Sequence, residues 1–169
     1  VLAAIRDVKD FPVEGIIFKD ITTVLSNPEY LKWMKDEIVN LYRAYGITKV
    51  VGIESRGFIL GPAVAMDLGA GFVPVRKPGK LPAETIEVSY AKEYGVDTIQ
   101  IHADALSEDD VVLLHDDLLA TGGSMAAALE LVRKFNVKKV YINFIIELEF
   151  LNGRKAIGDD VEVSSLLSC

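Results

Sequence analysis

The chain has 169 residues, half of them hydrophobic and 25% charged, which fits a single buried-core domain over residues 1–169 and excludes a disordered chain. Eighteen Lys and Arg against 25 Asp and Glu leave a net charge of −7, so binding to nucleic acid, which rests on neutralising phosphates, is not expected. One cysteine, Cys169, cannot close an internal disulfide and no apolar run reaches bilayer-spanning length, so a cytoplasmic setting away from membranes is expected.

In chain order, Phe11–Ile21 is short, apolar and turn-rich, and by itself reads as a surface-to-core connection. Leu31, Met34, Ile38, Leu41, Tyr42 and Tyr45 then recur at helical spacing, with Asn27-Pro28 as a start signal and Gly46 as a stop. Lys49–Ile53 reads as a buried strand, Phe58–Leu68 as a helix whose first turn tolerates Pro62, and Phe72–Val75 as a second strand ended by the loop Arg76–Pro82. Ile86, Val88 and Tyr90 alternate with polar residues, as do Ile99 and Ile101, which predicts two antiparallel strands turning at Glu93-Tyr94-Gly95. Val111–Leu114 is a short strand expected to run out at His115. Met125, Ala128, Leu129 and Val132 trace one helix face, Val140–Ile146 is a long apolar strand, and Gly158–Cys169 adds only a short apolar stretch. Apolar strands separated by helices predict an α/β fold with a mostly parallel sheet covered on both faces, and the antiparallel pair as an excursion from it.

Three segments carry chemistry. In Val111–Ser124 an apolar strand meets Asp116 and Asp117, and Ala120-Thr121-Gly122-Gly123-Ser124 then opens a helix. A strand end feeding a helix N-terminus in a parallel sheet is where ligands bind. The glycines allow close backbone approach, Thr121 and Ser124 add hydroxyl donors, and the helix start favours a phosphate. Carboxylates repel a phosphate but accept hydrogen bonds from vicinal hydroxyls, so the segment asks for a sugar phosphate. It is neither a P-loop nor a dinucleotide turn. Glu54-Ser55-Arg56-Gly57 is a second strand-to-helix turn with a fixed cation, which suits either phosphate oxygens or a nearby acid. Arg76-Lys77-Pro78-Gly79-Lys80 gathers cations in a loop able to neutralise a leaving group.

The run Val112–Ser124 (VLLHDDLLATGGS) resembles the phosphoribosyl pyrophosphate (PRPP) signature of type I phosphoribosyltransferases, departing from it at His115, where the family usually has an apolar residue. The strings ESRGFILGPAVA and RKPGKLP, the segment Phe11–Ile21 (FPVEGIIFKDI) and Ser89–Gly95 (SYAKEYG) resemble the adenine branch, so the likeness covers about Ile5–Ile157. It implies the type I phosphoribosyltransferase fold, with a small N-terminal hood over about residues 11–24 and a flexible antiparallel loop. It further implies that Asp116 and Asp117 hold the ribose hydroxyls and Ala120, Thr121, Gly122, Gly123 and Ser124 the 5-phosphate. Ser55, Arg56, Gly57, Arg76, Lys77 and Lys80 would face pyrophosphate, while Ile17, Phe18, Lys19 and Leu118 would face adenine. Lys19 stands where many members have Arg. Glu93 becomes the general acid/base, with Tyr94 beside it.

The implied reaction is adenine plus PRPP giving AMP plus pyrophosphate, a purine-salvage step. Mg2+ would be carried mainly by substrate oxygens and water, since no protein cage is evident. A homodimer is the family's usual assembly. Transfer to another base, and a non-catalytic PRPP-sensing regulator, are the alternatives; the regulator would need a basic face or a further domain, and neither is present in these residues. The residues alone do not separate adenine from other purines.

Overall fold

The computed structural model describes residues 1–12, 14–92 and 94–169. The chain opens with a hairpin, β1 (Arg6–Lys9) and β2 (Ile17–Asp20), paired antiparallel so that Arg6 faces Asp20. Its turn is closed by the Gly15 N–H donating to the Asp10 carboxylate (2.8 Å), and the Phe11 and Phe18 rings meet edge to face at 5.2 Å. The segment expected as a hood, residues 11–24, thus contains β2, and β1 pairs with it from Arg6 to Lys9. The short helix α1 (Thr22–Leu25) follows.

Helix α2 (Pro28–Tyr42) starts where the sequence indicates: the Asn27 side chain accepts from the Glu29 and Tyr30 N–H groups, and Pro28 occupies the first turn. It ends at Tyr42 rather than Tyr45. Strand β3 (Lys49–Ile53) leads into α3 (Gly57–Leu68), which Gly69 terminates in the left-handed region. Pro62 lies inside α3, one turn later than expected. There its missing N–H leaves the Phe58 carbonyl, four residues earlier, without its helical donor. Strand β4 (Gly71–Val75) is followed by the antiparallel pair β5 (Thr85–Lys92) and β6 (Gly95–His102). Then come β7 (Val111–Leu119), α4 (Gly123–Arg133), β8 (Lys139–Glu147), α5 (Gly153–Ile157) and β9 (Glu162–Ser168).

The central sheet has the order β4-β3-β7-β8-β9, and every pairing in it is parallel. Alternation divides its residues between two cores. Val51, Val112, Leu114, Ile142 and Phe144 pack with α4 and with Val88, Ile99 and Ile101 of the β5–β6 hairpin. Val50, Leu113 and Ile145 pack with Met34, Ile38, Leu60 and Val64 of α2 and α3. The expected α/β fold is present.

Two segments differ from expectation. Strand β7 continues past His115 to Leu119, so Asp116 and Asp117 lie on the strand and not after its end. His115 is buried within the sheet, its Nδ1 3.0 Å from the Asn143 Oδ1 on β8. The tail also contributes a fifth parallel strand, β9, hydrogen-bonded to β8 from Glu162 to Ser168. Parallel order sends β3, β4 and β7 out at one edge. Crossovers leave in opposite directions on either side of β3 and β7, and this switch point is where α/β sheets open a ligand crevice.

Candidate active site

The turn after β3 and the end of β7 face each other across the switch point. Gly57 makes this possible, since a Cβ there would stand 2.9 Å from the His115 carbonyl oxygen and 3.4 Å from the Asp116 carboxylate. Arg56 reaches across: its Nε lies 3.0 Å from an Asp117 oxygen, and its guanidinium sits 5.3 Å from the centre of the Phe18 ring. A cavity of about 390 Å³ opens here, lined by Phe18, Glu54, Ser55, Arg56, Lys77, Asp116 and Asp117. The hood, the β3 turn, the basic loop and the β7 carboxylates thus meet at one place.

The Asp117 side chain is only 3% exposed. Burial raises its carboxyl, and the Arg56 charge opposes that shift. Asp116 is driven well above the usual carboxylate range, first by loss of water and then by the neighbouring Asp117 charge. The Asp117 N–H donates to Asp116 Oδ1 at 2.9 Å, which fixes its carboxylate along the strand. A pair of poorly solvated acceptors is well suited to two hydroxyl donors.

Across the cavity, Glu54 accepts from Arg76 Nε (2.9 Å) and from the Lys77 N–H (3.3 Å). Burial pushes the Glu54 carboxyl up, but these two donors and their charges outweigh it and hold the group below its ordinary value. Arg76 is consequently turned to Glu54 and to the Phe58 ring (6.0 Å), away from the cavity lining, while Lys77 remains on the wall. Lys80 sits farther out on the loop, its N–H 3.4 Å from the Lys77 carbonyl. Glu54 and Arg76 lie 22 positions apart, so no local spacing signals this pair.

A second cavity, about 460 Å³, lies over the start of α4 and is lined by Tyr90, Ala91, Lys92, Tyr94, Thr121, Gly123 and Ser124. The first N–H groups of a helix have no intrahelical partner and point out of its start. Gly122 holds the left-handed conformation (φ 89°) that turns the chain into the helix, and a Cβ there would overlap the Gly153 carbonyl oxygen at the start of α5. Gly153, at the start of α5, carries no local sequence signal of this contact, yet its close approach to Ala120 and Gly122 fixes the shape of the loop.

The remaining expected residues are placed less centrally. Ile17 is 58% exposed and Lys19 pairs with Asp7 on the hood (2.6 Å), so of the three hood residues only Phe18 lines the cavity. Leu118 and Ala120 are half-buried against the core on the α2 and α3 side. Tyr94 is 87% exposed at the rim of the second cavity. Glu93 lies outside the described residues.

Parallel-strand carboxylates, a glycine-bearing helix start and a facing arginine turn are the parts of a site for a phosphorylated pentose, and the class they define is the phosphoribosyltransferases. The family model described as a phosphoribosyl transferase domain matches residues 20–164. The adenine phosphoribosyltransferase of Bacteroides thetaiotaomicron is 62% identical over 167 residues, covering 99% of this chain and 95% of that protein. Among solved structures, the Giardia lamblia enzyme complexed with 9-deazaadenine superposes with a TM-score of 0.95 at 45% identity, covering 99% of this chain and 95% of that one. The Saccharomyces cerevisiae adenine phosphoribosyltransferase, complexed with adenine and an imino-altritol bisphosphate, gives 0.90 at 41% identity over 98% and 95% of the two chains. The chain belongs to the adenine phosphoribosyltransferase family of pentosyltransferase enzymes.

Proposed function

We propose that this chain transfers the phosphoribosyl group of PRPP to adenine, giving AMP and pyrophosphate. The observation that carries the reading is the convergence of Asp116, Asp117, Arg56 and Phe18 on one cavity beside the α4 phosphate cradle. The ligands of the Giardia and yeast relatives, an adenine analogue and adenine with a sugar bisphosphate mimic, support the choice of base.

In this reading the 5-phosphate rests on Ala120–Ser124, and the ribose hydroxyls donate to Asp116 and Asp117. Ser55, Arg56, Gly57 and Lys77 face the pyrophosphate, with Arg76 and Lys80 adding positive charge at the rim. Displacement at the anomeric carbon leaves positive charge on the sugar and negative charge on the departing group, which these cations stabilise. Phe18 covers the purine, while Ile17, Lys19 and Leu118 stand behind it, off the cavity wall. Glu93 exchanges a proton with the imidazole edge, and Tyr94 closes the loop against water.

No group of three His, Cys, Asp or Glu able to hold a metal occurs among the described residues. With Asp117 already engaged by Arg56, the donor set fits Mg2+ that arrives on PRPP oxygens rather than a resident ion. Mg2+ in that position offsets charge on the diphosphate. We further place the enzyme in purine salvage in the cytoplasm, working as a homodimer; no described helix is long and apolar enough to cross a membrane.

The test is AMP formation from adenine and PRPP with and without Mg2+, alongside hypoxanthine, guanine and a pyrimidine. Adenine should be the preferred base and omission of Mg2+ should suppress turnover. Preference for another base would overturn the assignment of the hood.

A further inference from the structure

The β5–β6 hairpin is anchored by one face. Ile86, Val88 and Tyr90 alternate onto that face, and their partners across the pair are Ile101, Ile99 and Asp97. Val88, Ile99 and Ile101 are buried, and the Tyr90 ring packs over the start of α4, 3.6 Å from where a Gly123 Cβ would stand. Continuing the alternation, the next residue on the face is Lys92. The apolar stripe therefore ends in a cation where the hairpin overhangs Thr121, Gly123 and Ser124.

Among the described residues lining this cavity Lys92 is the single cation. Its Nζ is 3.1 Å from Asp97, a diagonal cross-strand neighbour on the same face, and both side chains are partly exposed. The α4 cradle otherwise offers only neutral donors, in a chain whose net charge is −7. A dianionic 5-phosphate seated there is within the sweep of a long, flexible lysine stem rooted two residues beyond an anchored tyrosine.

We propose that Lys92 is a phosphate-positioning residue: it leaves Asp97 to engage the 5-phosphate of PRPP and AMP, tying the hairpin to the cradle when the site fills. The proposal rests on the phosphoribosyl reading of the α4 cradle. Because the Asp97 pair is partly exposed, exchanging it for a doubly charged partner costs little.

The experiment compares AMP with adenosine, which lacks the phosphate, by calorimetric titration of the intact protein and of Lys92→Met and Lys92→Arg. Lys92→Met should weaken AMP binding roughly tenfold to a hundredfold, the range of one charge-assisted hydrogen bond, and leave adenosine affinity within about twofold. Lys92→Arg should retain most of the AMP affinity. Unchanged AMP affinity in Lys92→Met, or an equal loss for AMP and adenosine, overturns the role. If the unsubstituted protein itself shows no preference for AMP over adenosine, the cradle reading fails instead, a result distinct from the first.

Discussion

Replacing Gly122 with alanine tests whether the cradle is shaped by backbone conformation alone or also by its contact with α5. At φ 89° an L-residue is strained, and the added Cβ would overlap the Gly153 carbonyl oxygen and stand 3.1 Å from the Ala156 Cβ. The conformational part costs about 1 kcal/mol. The overlap must be relieved by moving either the cradle or the α5 start, at a cost typical of overpacking, roughly 1–3 kcal/mol. A total of about 2–4 kcal/mol lowers Tm by roughly 4–16 °C in a chain of this size. Gly79→Ala supplies the comparison: φ there is 80° with nothing within 4 Å of the added Cβ, so only the conformational part, about 1 kcal/mol and roughly 2–4 °C, applies. The assay is thermal unfolding of both variants, followed by the KM for PRPP of whatever remains folded at 25 °C. Gly122→Ala should fall well below Gly79→Ala in Tm and show a raised KM. Equal Tm losses in the two variants would refute the steric argument and reduce Gly122 to an ordinary turn glycine.

Glu93→Ala should lower kcat far more than it weakens PRPP binding; activity equal to that of the unsubstituted enzyme would remove the acid/base assignment. Arg56→Lys keeps the charge but loses the fork that spans Asp117 and the Phe18 face, so KM for PRPP should rise about tenfold or more, read from initial rates. His115 gives a pH signal. Burial lowers it from 6.5 to about 4, so between those values the unfolded chain binds a proton that the folded one does not. Its contribution is complete above pH 6.5 and is lost as pH falls toward 4, amounting to about 3 kcal/mol. The raised carboxyls of Asp116 and Asp117 act in the opposite sense, because the folded state there binds the extra proton. Comparing His115→Leu with the unsubstituted protein by chemical unfolding at pH 7 and pH 4.5 isolates the histidine. The variant should lose less stability on acidification, and parallel losses would refute the assignment.

Local pattern revealed most of the sheet, because Lys49–Ile53, Phe72–Val75 and Val140–Ile146 are short apolar runs, rich in β-branched residues, of the kind a strand covered on both faces accommodates. It stopped β7 at His115 because a histidine and two carboxylates do not belong, by composition, inside a central strand. What keeps them there is tertiary: Asn143 meets the histidine and Arg56 meets Asp117, partners 28 and 61 positions away whose proximity no local spacing encodes. Strand β9 was hidden for a different reason. It is a half-buried edge strand, Glu162–Ser168, whose short apolar stretch is mixed with serines and gives no clear alternation. The glycine pair and the arginine turn were legible as a phosphate site, yet their mutual placement depends on Gly57 against β7 and Gly122 against α5, contacts between segments distant in the chain.

The charge balance around the site bears on how a chain of net charge −7 accommodates a polyanion. Arg56, Arg76 and Lys92 are each paired with an acid in this structure: Asp117, Glu54 and Asp97. Bare cations clustered in the cavity would repel one another, and their field would attract any phosphate. Paired cations instead present little net field, so PRPP gains only the difference between its own contacts and the pairs it displaces. That difference is favourable where the displaced acid finds new donors. Asp117 does so in the proposed complex, because the carboxylate released by Arg56 is one of the two that receive ribose hydroxyls. A ligand with a pyrophosphate but no vicinal hydroxyls would break the Arg56–Asp117 pair and leave the Asp117 carboxylate buried without its countercharge, held only by backbone donors and Asp116, at a cost of about 1–3 kcal/mol. In the proposed complex, selectivity for PRPP over pyrophosphate alone would therefore come from the ion pair itself, through the group it leaves behind.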